Sequence, residues 1–256
     1  MTPGAASRQD GPLALICGGG SLPLTVADAA VAQGRNVVLF LLRGVADPAL
    51  TERYPHHWIY VGQGGKLRAL LRTEGCREVV FIGALVRPAL RQMRFDLWLL
   101  LKVPTLVAAF RGGDDHLLSG VARMFEREGF HLVGAHEVAP DILMPDGALG
   151  AKQPSERDRE DIALGLDYLA ATGRFDIGQA VVVAGRRVLA VEAAEGTDQM
   201  LQRVAEMRKN GRLRTPPGIG VLVKAPKPGQ DRRFDLPAIG PRTVEGVTLA
   251  GLAGLA

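Results

Sequence analysis

Apolar runs alternate with amphipathic stretches through the first half of the chain. Leu13-Ala-Leu-Ile-Cys17 reads as a strand of unbroken apolar character, the mark of a buried parallel strand. Gly18-Gly-Gly-Ser-Leu-Pro23 follows, then a helical pattern from Leu24 to Gln33 stopped by Gly34. A second run, Asn36 to Leu42, completes a β-α-β unit. A short strand over Trp58–Val61, a helix over Gly65–Glu74 and a strand over Glu78–Ile82 continue the alternation. Leu117, Leu118, Val121, Met124 and Phe125 then recur at helical spacing in a helix from Asp114 or Asp115 to Glu128, and Gly129 stops it. Phe130–Val133 reads as a further strand. Strand–helix alternation of this kind predicts an open, mostly parallel α/β sheet.

After the Pro-, Gly- and Asp-rich stretch 140–154 the grammar changes. Ser155-Glu-Arg-Asp158 has capping-box spacing and opens a helix to about Ala171. Gln179–Val183 and Arg187–Glu192 flank Ala184-Gly-Arg, the signal for a tight hairpin. A helix over Thr197–Lys209 and a strand over Ile219–Val223 follow. These readings predict an α/β domain over 11–138, a linker over 139–154 and a smaller α+β domain over 155–256. The apolar stretch Phe95–Phe110, broken at Pro104, reads first as an ordinary core helix.

Composition narrows the function. Hydrophobic residues make up 47% of the chain, enough for two cores. Net charge is only +4, yet Arg203–Thr243 carries ten Lys/Arg against three Asp/Glu, a patch that attracts anions. No aromatic signature accompanies it, which argues against nucleic acid as a partner. Cys17 and Cys76 have no metal-ligand spacing and read as buried, reduced thiols. No secretory signal or membrane-spanning run is evident, so a cytoplasmic protein is expected.

The densest chemistry lies between Leu222 and Thr243. Prolines 226, 228, 237 and 241 exclude a helix or central strand there, and the segment carries Lys224, Lys227, Gln230, Asp231, Arg232, Arg233 and Asp235. A stiff loop rich in both signs of charge suits an anionic substrate held beside a metal ion. Acidic residues gather at nearby strand ends: Asp176, Glu192, Glu195 and Asp198. Such hard oxygen ligands suit Mg²⁺ or Mn²⁺. The same pattern also suits plain helix capping, with Thr197 as N-cap and Glu195 and Asp198 beside the dipole. Lys224 and Lys227 are placed to offset charge on a phosphoryl oxygen. The triple glycine, between strand and helix, suits an anion-binding turn, although Pro23 departs from a dinucleotide fingerprint. Of the five histidines, only His136 lies near a domain junction.

Taken together, Gly18–Pro23, Gly134-Ala-His-Glu137, Asp176-Ile-Gly-Gln179, Glu192-Ala-Ala-Glu-Gly-Thr-Asp198, Lys224-Ala-Pro-Lys-Pro-x-Gln-Asp231 and Phe234-Asp-Leu-Pro-x-Ile-Gly240 resemble one family. It is the two-domain, metal-dependent UDP-2,3-diacylglucosamine diphosphatases of lipid A biosynthesis, distinct from the calcineurin-like enzymes. The resemblance implies a Rossmann-like first domain, a catalytic second domain and a substrate between them. It also implies hydrolysis of the substrate's pyrophosphate to UMP and 2,3-diacylglucosamine 1-phosphate with Mg²⁺. Carried over, the catalytic set is Asp235, Asp231, Lys224 and Lys227. Metal ligands are expected from Asp235, Asp198, Glu195 and Glu192. Substrate contacts are expected from Gly18, Gly19, Gly20, Ser21, Leu22, Gln179, Thr197, Gln230 and Thr243. In this light the stretch Phe95–Phe110 becomes a candidate wall for acyl chains. Peripheral contact with the inner membrane face and a homodimer are compatible with it. The family's usual C-terminus lies beyond Ala256, so the second domain is expected to be short of its last elements. Two other readings stand beside this one: an NADP-linked oxidoreductase using the Gly18–Gly20 turn with Arg43, and a non-catalytic nucleotide or lipid carrier.

Asp235→Ala is expected to fold but release no UMP from UDP-2,3-diacylglucosamine, and EDTA is expected to abolish turnover of the parent. Full turnover by the variant contradicts the assignment of Asp235.

Overall fold

A computed structural model describes residues 11–84, 93–101, 114–175, 177–234 and 236–256, with only the backbone of 114–119. The chain divides into two compact units, Met1–Met144 and Pro145–Ala256. The division falls inside the stretch expected to link two domains.

In the first unit, strands β1 (Leu13–Cys17), β2 (Val37–Leu42), β3 (His56–Ile59), β4 (Glu78–Ile82) and β5 (His131–Leu132) form one parallel sheet in the order β3-β2-β1-β4-β5. The expected parallel α/β sheet is the one observed. β1 is buried at every position, which is why its sequence shows no alternation. Helix α1 (Leu22–Ala32) lays Val26, Ala27 and Ala30 over Leu13, Leu15, Leu39 and Leu41. Helix α2 (Gly64–Thr73) precedes β4, and α4 (Asp114–Arg127) precedes β5.

Two details differ from expectation. Strand β3 begins at His56 and not Trp58, because Leu39 pairs with His56 and the chain turns away at Gly62, with φ of +103°. The described part of the apolar stretch is helix α3 (Leu97–Leu101), and it is not a core helix. None of its residues is buried, and Leu97 and Leu101 are each 72% exposed. Residues 102–110 lie outside the described residues.

After the short helix α5 (Ala135–Val138), the second unit holds a four-stranded sheet in the order β7-β6-β8-β9. Its strands are β6 (Ala180–Val183), β7 (Val188–Val191), β8 (Val221–Lys224) and β9 (Gly254–Leu255). β6 runs antiparallel to both of its neighbours, β7 and β8, and β9 runs parallel to β8. Side chains alternate between two covered faces. Val181, Val183, Val221 and Val223 point toward helix α6 (Glu156–Thr172). Ala180, Val182 and Leu222 point toward α7 (Gly196–Lys209) and α8 (Pro241–Leu249). Each fully buried valine or leucine contributes roughly 1.5–3 kcal/mol. Close contact on the α6 face needs Gly165, where a Cβ would lie 2.6 Å from Val223 Cγ2.

Helix α8 was not expected, since the proline-bearing loop was read through Thr243. Pro241 instead occupies the first helical turn, where a missing N–H goes unnoticed. The hairpin does match its sequence signal. Gly185 and Arg186 both have positive φ, at 59° and 61°, as a two-residue type I′ turn requires. Ser155 caps α6 through the expected box with Asp158.

One buried carboxylate ties hairpin to helix. Asp161, wholly buried in α6, accepts the backbone N–H groups of Gly185 and Arg186 at 2.9 and 2.5 Å. Asp161→Ala removes the acceptor of both turn donors, and a hydrogen bond to a charged group contributes about 1.5–3 kcal/mol. A fall in Tm of several degrees is expected by thermal melting, and an unchanged Tm contradicts this role.

Candidate active site

Three strand ends meet at one end of the second sheet. Antiparallel pairing puts the start of β6, the end of β7 and the end of β8 side by side. Glu192 N donates to Ala180 O at 2.9 Å and Ala225 N to Gln179 O at 3.1 Å. Gln179, Glu192 and Lys224 therefore share an edge, and the turn into α7 brings Thr197 over it.

The side chains form a connected chain of hydrogen bonds. Glu192 accepts from Gln179 N (2.8 Å) through one oxygen and from the Thr197 hydroxyl (2.7 Å) through the other. With its proton spent on Glu192, the Thr197 oxygen presents a lone pair, and Lys224 Nζ donates to it at 3.0 Å. The ammonium also donates to Ala238 O at 3.0 Å. Gly178 admits this arrangement, because a Cβ there would lie 2.4 Å from Glu192 Cγ. Thr197 is thus not the N-cap of α7: Glu195 holds that position, with no side-chain cap bond. The preceding acid at Glu192 captures the hydroxyl first.

Two other expected ligands stand beside arginines. Glu195 pairs with Arg203 at 2.9 Å, and Asp198 stands 3.9 Å from Arg242. No three of the described His, Cys, Asp and Glu side chains gather closely enough to hold a metal ion. Glu192 is linked to Lys224 through Thr197, and a divalent cation here would draw further ligands from elsewhere, as magnesium does when substrate phosphates complete its shell. Asp235 and Asp176 lie outside the described residues.

Along the loop, Gln230 accepts from Lys227 N at 2.8 Å, closing a short turn over Pro228-Gly229. Pro228 packs against Gly173, at the end of α6. Asp231 is gripped by Arg233, with Nε to Oδ1 at 3.0 Å and Nη2 to Oδ2 at 2.7 Å. Thr243, largely buried, sits in the first turn of α8, where its hydroxyl accepts from Gly240 N at 3.4 Å. Sequence reasoning missed the Ala238 carbonyl, which is 14 residues from Lys224 and carries no compositional signal.

In the first unit the triple glycine is a crossing point of backbones. Gly18 N donates to Ile82 O and Gly19 N to Ala84 O, both at 2.8 Å, and a Cβ on Gly18 would lie 2.5 Å from Ala84 O. These two amides are therefore spent, which removes donors that a dinucleotide site would use. Gly20, with φ of +91°, Ser21 and Leu22 lead into α1, and Ser21 makes no side-chain cap bond. His136 lies in α5, its buried Nδ1 without a hydrogen-bond partner among the described residues.

Arg233's side-chain hydrogen bonds, with its backbone N–H and charge in support, hold the Asp231 carboxyl below its ordinary value of 3.8 against the opposing effect of burial. The pair therefore favours the folded loop at every pH above that value, and the contribution fades as pH falls through the lower, folded one. Arg233→Ala is expected to return the Asp231 titration toward its ordinary value in a carboxyl ¹³C NMR titration. An unmoved titration contradicts the pairing.

Two family models cover nearly all of the chain: the LpxI N-terminal domain over residues 12–142 and the LpxI C-terminal domain over 145–256. The UDP-2,3-diacylglucosamine pyrophosphatase LpxI of Caulobacter vibrioides is 46% identical over 243 residues, spanning 95% of this chain and 86% of that protein. The resemblance seen in the motifs thus holds along the whole length, and this chain is a member of the LpxI family.

Proposed function

We propose that this protein hydrolyses the pyrophosphate bond of UDP-2,3-diacylglucosamine, yielding UMP and 2,3-diacylglucosamine 1-phosphate in lipid A biosynthesis. Family membership and the named activity of the Caulobacter relative support the reaction. The observation that carries it to particular residues is the fixed ammonium of Lys224, held by Thr197 and Ala238 at the end of a buried strand.

Pyrophosphate cleavage places negative charge on the departing phosphoryl oxygens. A cation already aimed at that position stabilises the transition state without reorganising during the reaction. A free lysine loses up to about 2 kcal/mol of rotamer freedom when it is fixed, and here that ordering precedes substrate binding. Glu192 acts through Thr197: it accepts the hydroxyl's hydrogen bond and so turns the oxygen's lone pair toward Lys224. Lys227 and Gln230 set the turn beside it.

A bound Mg²⁺ would neutralise phosphate charge, with Glu192 and Asp235 as its candidate protein ligands. Contact with the cytoplasmic face of the inner membrane belongs to the same proposal. The substrate carries two acyl chains, and Phe95, Leu97, Leu100 and Leu101 are exposed. Among the described residues, no helix is long and apolar enough to cross a membrane.

Lys224→Ala is expected to lower kcat for UMP release by about 10²-fold, the usual cost of losing one preorganised electrostatic donor. The far-UV spectrum should be unchanged. Retention of more than half the parent rate contradicts the role given to Lys224.

A further inference from the structure

We propose that Arg43 and Arg94 form a phosphate-binding clamp on the first unit, at the carboxyl edge of its parallel sheet. Arg43 directly follows β2, and its guanidinium carbon lies 5.4 Å from the Trp58 ring centroid and 5.5 Å from that of Tyr60. Arg94 covers Tyr60 as well, at 4.3 Å. Two cations therefore converge on one aromatic ring.

Neither guanidinium has a carboxylate partner among the described residues. Four of the unit's other arginines do: Arg35 pairs with Glu78, Arg53 with Asp28, and Arg68 and Arg72 with Glu128. Asp96, the acid nearest in sequence to Arg94, is already taken. Its two oxygens accept the backbone N–H groups of Leu99 and Lys66, at 2.9 and 3.0 Å. Two like charges held within 5.5 Å of one ring centroid repel each other, and an anion that contacts both relieves that repulsion.

A guanidinium held over an aromatic ring can still turn N–H donors toward an oxyanion. The ring contact also restricts the side chain in advance, which lowers the entropy lost on binding. Arg94 is fixed through its backbone too. Its N–H donates to Val61 O at 3.0 Å, and Gly62 lets its carbonyl approach to a point where a Cβ would lie 2.6 Å away.

The position is also one where open α/β sheets bind ligands. Strand order reverses between β1 and β4, and the crevice lies outside the carboxyl ends of the strands. The loop after β2 abuts the loop after β1, for a Cβ on Gly19 would lie 3.1 Å from Val45 O. Arg43 therefore stands on the loop that borders the crevice.

The ligand chemistry is a phosphate group, borne either by a nucleotide or by a lipid. Its identity as part of the substrate rests on the hydrolase reading; the clamp itself does not. Isothermal titration calorimetry with UMP and with decyl phosphate below its micelle concentration separates the two sources. Saturable binding is expected for at least one probe. Arg43→Gln and Arg94→Gln are each expected to weaken it about tenfold, as for loss of one charge-assisted contact. Lys152→Gln, which removes one exposed charge elsewhere, is expected to leave it unchanged. A response to UMP alone assigns a nucleotide phosphate, and a response to decyl phosphate alone assigns a lipid-borne one. Because Arg94 is exposed, Arg94→Gln keeps the test open if Arg43→Gln destabilises the fold. Equal binding by parent and variants, no binding of either probe, or equal loss in Lys152→Gln overturns the clamp. Since binding is read without turnover, a parent that fails to release UMP leaves this result separately interpretable.

Discussion

The ammonium of Lys224 is the point on which the second unit's chemistry depends. It ends a strand whose other residues are buried, and it reaches a hydroxyl from a neighbouring helix and a carbonyl from a distant loop. Two oxygen atoms hold this half-buried charge at the end of the strand. The hydroxyl in turn keeps its orientation because it donates its hydrogen bond to Glu192. Three segments separated in sequence are thereby brought to one atom.

The fold supplies the rigidity this requires. β6 and β8 are covered on both faces, by α6 on one side and by α7 and α8 on the other. Strands packed in this way cannot slip register, because a one-residue shift would exchange the two faces. The side chains at Ala180, Val181, Leu222 and Val223 thus fix where Gln179, Glu192 and Lys224 emerge. Asp161 adds a polar lock at the far end of the hairpin.

Much of this was legible in the sequence. The continuous apolar runs located β1, β2 and β4, and Ala184-Gly-Arg located the hairpin, because each depends on local patterning. Helix α8 was hidden by Pro241, which excludes a helix interior yet suits a helix start. The exposed face of α3 was misjudged because periodicity reports an apolar surface without reporting what covers it. At the site, residue types pointed to Lys224, Glu192 and Thr197, but not to their arrangement. Thr197 carries the signature of a cap, and only the fold shows that Glu192 captures its hydroxyl. The approach of Asp198 to Arg242 depends on how α7 packs against α8, which no short spacing encodes.

The most direct measurement of the central claim is a double-mutant cycle on kcat for UMP release, using Lys224→Ala, Thr197→Val and their combination. If Thr197 acts by holding the ammonium in place, the double variant loses no more than about the loss of Lys224→Ala alone. Fully additive losses would mean that the two groups work independently, and the connected arrangement described here would not be what drives the reaction.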